Sequence, residues 1–156
     1  MRVVVDSREQ KPLSFDAFPD IQTEVMALRT GDYSLVGMQE LVAVERKSET
    51  DLIHSLTYDR ARFEAELERS RALRYFGIVI ETTWHRLAKG EYRSKASPQS
   101  IVGSLFSIAT KYNAGLFLVG TDRTSAAYAV QMILRHFAKQ TVRTLTAALM
   151  HADAGA

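Results

Sequence analysis

Two hydrophobic rhythms alternate along this chain: short, nearly continuous apolar runs, and stripes in which apolar residues recur at helical spacing. Val3-Val4-Val5 within Arg2–Asp6, then Phe76, Ile78, Val79 and Ile80 within Tyr75–Glu81, and then Leu116–Val119 ahead of Gly120 are the runs, and they predict buried strands. Shorter strand-like stretches fall near Thr23–Met26, Asp32–Val36 and Leu41–Arg46, the first of them after a loop containing Pro12 and Pro19. Helical spacing takes over from about Thr50 to Leu73, with Leu52, Ile53 and Leu56 on one face and an interruption expected near Thr57–Asp59. Ser97-Pro98 predicts a further helix start, because proline at the first helical position lacks only an N–H that would have no partner there. Ile101, Leu105, Ile108 and Tyr112 then repeat beside Val102, Phe106 and Ala109. A last helix is expected from Asp122–Ser125 onward, carrying Val130, Ile133, Leu134 and Phe137. Strands separated by helical stretches imply an α/β fold, a mixed sheet covered on both faces. No repeat, linker or low-complexity segment divides the chain, so residues 1–150 are expected to form a single domain and His151–Ala156 to fray.

Composition narrows this picture. At 156 residues and 46% hydrophobic, the chain can build one good core and hardly two. Without cysteine there are no disulfides and no thiolate zinc, and the four histidines, His54, His85, His136 and His151, are too scattered to suggest a ligand set. No apolar run is long enough to span a bilayer and no secretory segment is recognisable, so a cytoplasmic, nucleoid-associated location is expected. A net charge of +2 permits nucleic-acid binding without diagnosing it.

The chemistry gathers at one spacing. Asp32 is followed after twelve residues by Glu45-Arg46-Lys47, and after three more by Asp51. Alternation along a strand points Glu45 and Lys47 to one face and Arg46 to the other. Two carboxylates and a lysine on adjacent strands can converge on one point, the arrangement that holds a hard divalent cation for phosphodiester hydrolysis. Carboxylates crowded to about 4 Å repel by roughly 4 kcal/mol per pair at an effective dielectric near 20, so such a cluster calls for a cation, and its hard oxygen ligands favour Mg2+ or Mn2+ over zinc. The plainer reading is a Gly-Asp turn beside a solvated strand edge. Asp51 has a plainer reading too, since Ser48-x-x-Asp51 fits a capping box at a helix start.

Three separated segments together carry a family likeness: Val5-Asp6-Ser7-Arg8-Glu9, Gly31-Asp32-Tyr33, and Val44-Glu45-Arg46-Lys47 continuing to Leu56. They resemble the nuclease domain of the XPF family of structure-specific endonucleases, whose hallmark is GD, then ERK, then three residues and D. The resemblance runs more loosely from Arg2 to about Lys139. It implies a restriction-endonuclease-like fold of the PD-(D/E)xK superfamily, a mixed central sheet flanked by helices, and metal-dependent cutting of DNA with Mg2+ or Mn2+. Carried over by position, Asp32 and Glu45 would be metal ligands, with Asp6 and Glu9 completing the acidic cluster and Asp6 a further ligand. Lys47 would orient the attacking water and stabilise developing charge. Arg46 and Asp51 belong to the motif with supporting roles.

DNA contacts are expected from basic residues outside this motif. Arg86, Lys89, Arg93, Lys95 and Lys111 face a single acid, Glu91, between Thr82 and Lys111, with Trp84 and Tyr92 among them in what reads as a loop. Trp84 alone reads better as a plug at the core edge. Arg8 joins the expected DNA contacts, and Arg60 or Arg62 would stand where the family has an arginine near the active site, with Arg62 preferred. The apolar band of the last helix, continued by Val142, Leu145 and Leu149, is wider than one sheet contact needs, and the resemblance implies a homodimer there, although ordinary core packing explains about half of the band equally well. Many family members append a tandem helix-hairpin-helix domain, and the seventeen residues after Lys139 cannot hold one. The expectation is therefore a DNA endonuclease module acting on branched or otherwise structured DNA. The alternative is a non-catalytic DNA-binding or scaffold subunit, and the residues alone leave RNA open as a substrate.

Overall fold

A computed structural model describes residues 1–153. Six strands form one sheet: β1 (Arg2–Asp6), β2 (Gln22–Met26), β3 (Tyr33–Leu35), β4 (Val42–Ser48), β5 (Tyr75–Glu81) and β6 (Gly115–Leu118). Their spatial order is β2-β1-β3-β4-β5-β6. β1 pairs parallel with β2, β4 with β5, and β5 with β6, while β3 runs antiparallel to both β1 and β4. The sheet is mixed, as the alternation of strands and helices predicts.

Helices cover both faces. On one side α1 (Glu49–Thr57), α2 (Arg60–Ser70), α3 (Trp84–Lys89) and α4 (Pro98–Tyr112) pack around Leu52, Phe63, Leu67, Ile78, Ile80, Leu87, Ile101 and Leu105. On the other side α5 (Arg123–Asp153) lays Ala126, Ala127, Val130, Ile133 and Leu134 over Val3, Val5, Val42, Val44 and Val79. Successive residues of β4 serve opposite cores, with Ala43 on the first and Val42 and Val44 on the second. The parallel crossover from β1 to β2 contains no helix. It is an irregular segment anchored by buried Leu13 and Phe15, whose apolar side chains replace a helix as cover.

One expectation needs revision. The segment read as a loop after Glu81 contains α3, capped by the Thr83 hydroxyl accepting from the Arg86 N–H at 3.2 Å and closed by Gly90 at φ 70°. Six residues are too few to display helical periodicity, although both end signals are in the sequence. α5 is described through Asp153, and residues 154–156 of the tail expected to fray lie outside the described residues. The apolar band of α5 divides, its first half buried on the sheet while Val142, Leu145 and Leu149 stay exposed. No described helix is long and apolar enough to cross a membrane.

Candidate active site

The site lies where β1, β3 and β4 meet α1 and α2. Gly31 makes the meeting close. At φ +75° it adopts a conformation that residues with a Cβ avoid, and a Cβ there would come within 2.9 Å of the Ala43 Cβ and 3.2 Å of the Val44 carbonyl. Asp32 is then held from both sides: its N–H donates to the Val44 carbonyl at 2.9 Å and its carbonyl accepts from the Asp6 N–H at 2.8 Å. Its Oδ2 accepts from the backbone N–H of Arg46 at 2.8 Å. On the same face of β4, Lys47 Nζ donates to Glu45 Oε1 at 2.7 Å and sits 4.4 Å from the centroid of the Phe63 ring on α2. Asp32, Glu45 and Lys47 line one cleft of about 440 Å³, together with Asp6, Asp51 and Glu66.

Electrostatics here is dominated by burial. Removal from water pushes the Asp32 carboxyl up to about 7; the Arg46 N–H and Lys47 oppose this, while Glu9 and Glu66 add to it. Burial, then Asp32 and Glu66, hold Glu45 well above the carboxylate range. Burial alone would lower the Lys47 ammonium, but Glu45, Glu66 and Asp32 together keep it above its ordinary value, so it is charged at neutral pH. Two carboxylates beside a fixed ammonium thus share a place where adding positive charge is favourable.

The expected residues divide by what their side chains touch. Asp6 is buried and committed elsewhere: it accepts from Arg8 Nε at 2.8 Å and, through Oδ1, from the Leu28 N–H at 2.9 Å. Both of its oxygens thus brace the loop before β3, while the residue also borders the cleft beside Asp32 and Glu45. Among the described residues, no three of Asp, Glu, His and Cys stand at the spacing of a metal-ligand set. Glu9 lines a shallower groove that also touches Asp32, Glu45, Lys47 and Asp51, and its Oε1 accepts from the Lys11 N–H. Arg46 turns away from the cleft, as strand alternation requires, into a buried fork on Glu81 at 2.8 and 2.7 Å. Asp51 both caps and lines: Ser48 Oγ accepts from its N–H at 3.1 Å and donates to its carboxylate, which borders the cleft.

The basic residues sort in the same way. Arg8 and Arg62 border the cleft, Arg62 almost fully exposed and 3.4 Å from Asp59. Arg60 instead bonds Glu64 at 2.9 Å and the Ser104 hydroxyl at 3.3 Å, outside the cleft lining. Arg86 is held by Glu49 at 2.9 and 3.0 Å and lies 3.7 Å from Glu91, so it ties α3 to the start of α1. Lys89 and Lys95 are exposed away from the cleft, and Arg93 lines a neighbouring hollow. Trp84 is not a core plug: it is 41% exposed and stacks on Phe106 with centroids 5.4 Å apart.

Sequence reasoning missed Glu66, Arg29 and Arg69, all of which line the cleft. Glu66 had one signal: it lies between Phe63 and Leu67, on the edge of the buried stripe of α2. Arg29 precedes the Thr30-Gly31 turn, and nothing local marks it. The finished cleft has an acidic interior bordered by Arg8, Arg29, Arg62 and Arg69.

Comparison with known proteins agrees with this geometry. The model of the ERCC4 domain family matches residues 5–132. Among solved structures, XPF from Aeropyrum pernix in complex with DNA is similar at TM-score 0.69 and 25% identity, over 89% of this chain and 66% of that one. A second structure of XPF from Aeropyrum pernix matches at TM-score 0.67 and 23% identity, over 97% of this chain and 73% of that one. Comparison with curated proteins gave no match. The mixed sheet flanked by helices is the restriction-endonuclease-like fold.

Proposed function

The chain belongs to the ERCC4 domain family, of XPF type, and from that premise we propose that it is a metal-dependent endonuclease hydrolysing phosphodiester bonds in branched or otherwise structured DNA. One observation carries this reading: Asp32, Glu45 and Lys47 converge in one cleft, on a sheet that sends the intervening Arg46 to the opposite face. The similar XPF solved with DNA supports nucleic acid as the substrate.

Asp32 and Glu45 fit a hard divalent cation, Mg2+ or Mn2+. They are oxygen donors, and burial together with neighbouring carboxylates (Glu9 and Glu66 for Asp32, Asp32 and Glu66 for Glu45) raises both, which binding a cation would relieve. At such a pair an ion supplies a more acidic water and neutralises charge building on the phosphate. This chain's own residues do the rest. The Arg46 N–H fixes the rotation of Asp32, leaving Oδ1 for a ligand. Lys47, charged and seated against Phe63, anchors Glu45 and offers further ammonium hydrogens to a phosphate oxygen. Arg8, Arg29, Arg62 and Arg69 border the acids with positive charge that holds the flanking backbone.

Self-association belongs to the same reading. Val142, Leu145 and Leu149 recur on one face of α5 and remain exposed, which suits a second copy of the chain. Sedimentation of the protein beside Leu145→Glu tests it, a monomer in both arguing against.

Cutting tests the activity. Purified protein is incubated with labelled flap, fork, single-stranded and duplex DNA, with and without Mg2+ or Mn2+, beside Asp32→Asn and Lys47→Ala. Metal-dependent cleavage abolished in both folded variants is expected. DNA binding without cutting of any substrate would leave a scaffold role instead.

A further inference from the structure

A second hollow adjoins the acid cleft, and His54 on α1 lines both. The hollow is the larger, at about 710 Å³ against about 440 Å³. Its chemistry also differs. Where the cleft gathers carboxylates, the hollow gathers rings. His54 and Tyr58, one turn apart at the end of α1, lie 5.7 Å apart at their centroids and are inclined by 41°. Tyr92, from the segment after α3, lines the hollow as well, its hydroxyl donating to the Ala96 carbonyl at 2.9 Å and so fixing the ring.

The charges of the hollow nearly cancel. Arg86 is matched by Glu49 and Glu91, and only Arg93 pairs with no carboxylate among the described residues. Such a lining is poor for a phosphate and good for a flat, neutral aromatic group. Tyr58 is 84% exposed, a large ring with almost no part in the core. His54 and Tyr58 thus form an aromatic pair that adjoins, through His54, the cleft where a phosphodiester would sit.

We propose that this hollow is a subsite for one unpaired nucleobase of the strand whose backbone enters the acid cleft; the identity of that strand rests on the nuclease reading above. A base held in a duplex stack cannot enter it, so the subsite favours substrates unpaired next to the cut. Stacking of one base on such rings changes affinity by roughly five- to a hundred-fold.

Fork oligonucleotides with 2-aminopurine at successive positions of the single-stranded arm are titrated with the full chain in EDTA, where no cleavage is required. Quenching is expected at one or two positions next to the junction, and not when the same base is paired. Tyr58→Ala should remove that quenching and weaken binding at least five-fold, with Tyr58→Phe retaining both and circular dichroism unchanged. Quenching that is absent at every position, or equal in the wild type and Tyr58→Ala, or equal for paired and unpaired bases, overturns the proposal. A protein that stacks a base through Tyr58 yet cuts nothing would sink the nuclease reading and keep the subsite. Metal-dependent cutting without Tyr58-dependent quenching would do the reverse.

Discussion

Arg46 and Asp32 are joined by a 2.8 Å hydrogen bond from the backbone N–H of one to the carboxylate of the other, although the Arg46 side chain points to the opposite face of the sheet. A single residue thus serves the site through its main chain and the fold through its side chain. The guanidinium's fork on Glu81 ties β4 to β5 at the end that carries Lys47. Arg123 at the start of α5 stands 3.7 Å from the same carboxylate.

Removing either member of that fork should therefore unfold the protein before it harms the chemistry. Both side chains are less than 10% exposed, and stripping one partner from a buried pair costs about 3–5 kcal/mol. Urea denaturation of Arg46→Ala and Glu81→Ala is expected to show losses of that size. The double variant should lose clearly less than the sum, because the second substitution removes a charge already left alone. Additive losses would mean the pair is not coupled.

Asp32 makes metal-free stability depend on pH. Its carboxyl is raised from 3.8 to about 7 in the folded protein, so its contribution is present in full below the unfolded value and is lost as pH rises through about 7. Glu49, Asp20 and Asp122 are shifted the other way and lose stability only as pH falls below the ordinary carboxylate range. In EDTA the wild type should weaken between pH 5 and 8. Asp32→Asn keeps an acceptor for the Arg46 N–H without the charge, and should be more stable than wild type at pH 8 by roughly 1–2 kcal/mol, with the gap closing near pH 4.5. Thermal melts at the two pH values decide it.

Cation binding should show the opposite slope. Glu45 and Asp32 must both be ionised to hold a divalent ion, so stabilisation by Mg2+ or Mn2+ should grow from pH 5.5 to 8. At a hundred-fold excess over the dissociation constant the gain is about 2.7 kcal/mol. Thermal shift in the presence of either ion measures it. Glu45→Gln should abolish the shift, and a shift surviving in that variant would place the ion elsewhere.

Arginines bordering the cleft and arginines tied into the fold should separate by salt dependence. Arg62→Ala and Arg69→Ala are each expected to weaken DNA binding on all sequences and to lower the slope of log affinity against log salt by about one. Arg86→Ala should leave the slope alone and lower the melting temperature, because its partners are Glu49 and Glu91. Fluorescence anisotropy at several salt concentrations distinguishes them.

The apolar rhythm determined the order of the strands and of every helix but the six-residue α3, including the break between α1 and α2, because core-facing periodicity is a local property of the chain. Strand alternation likewise settled that Glu45 and Lys47 share a face that Arg46 cannot reach. The motif spacing brought Asp32 to them and carried the family likeness. What sequence could not supply was the set of partners each charge finds. Asp6 lies in a motif segment yet is occupied by Arg8 and Leu28, while Glu66 belongs to no motif segment yet enters the cleft from α2. Arg86 looked free in a basic segment and is held by Glu49, far away in sequence. Those outcomes depend on how helices seat on the sheet, and only the packed tertiary structure decides which acid meets which base. Backbone pattern is written residue by residue, but electrostatics acts through space.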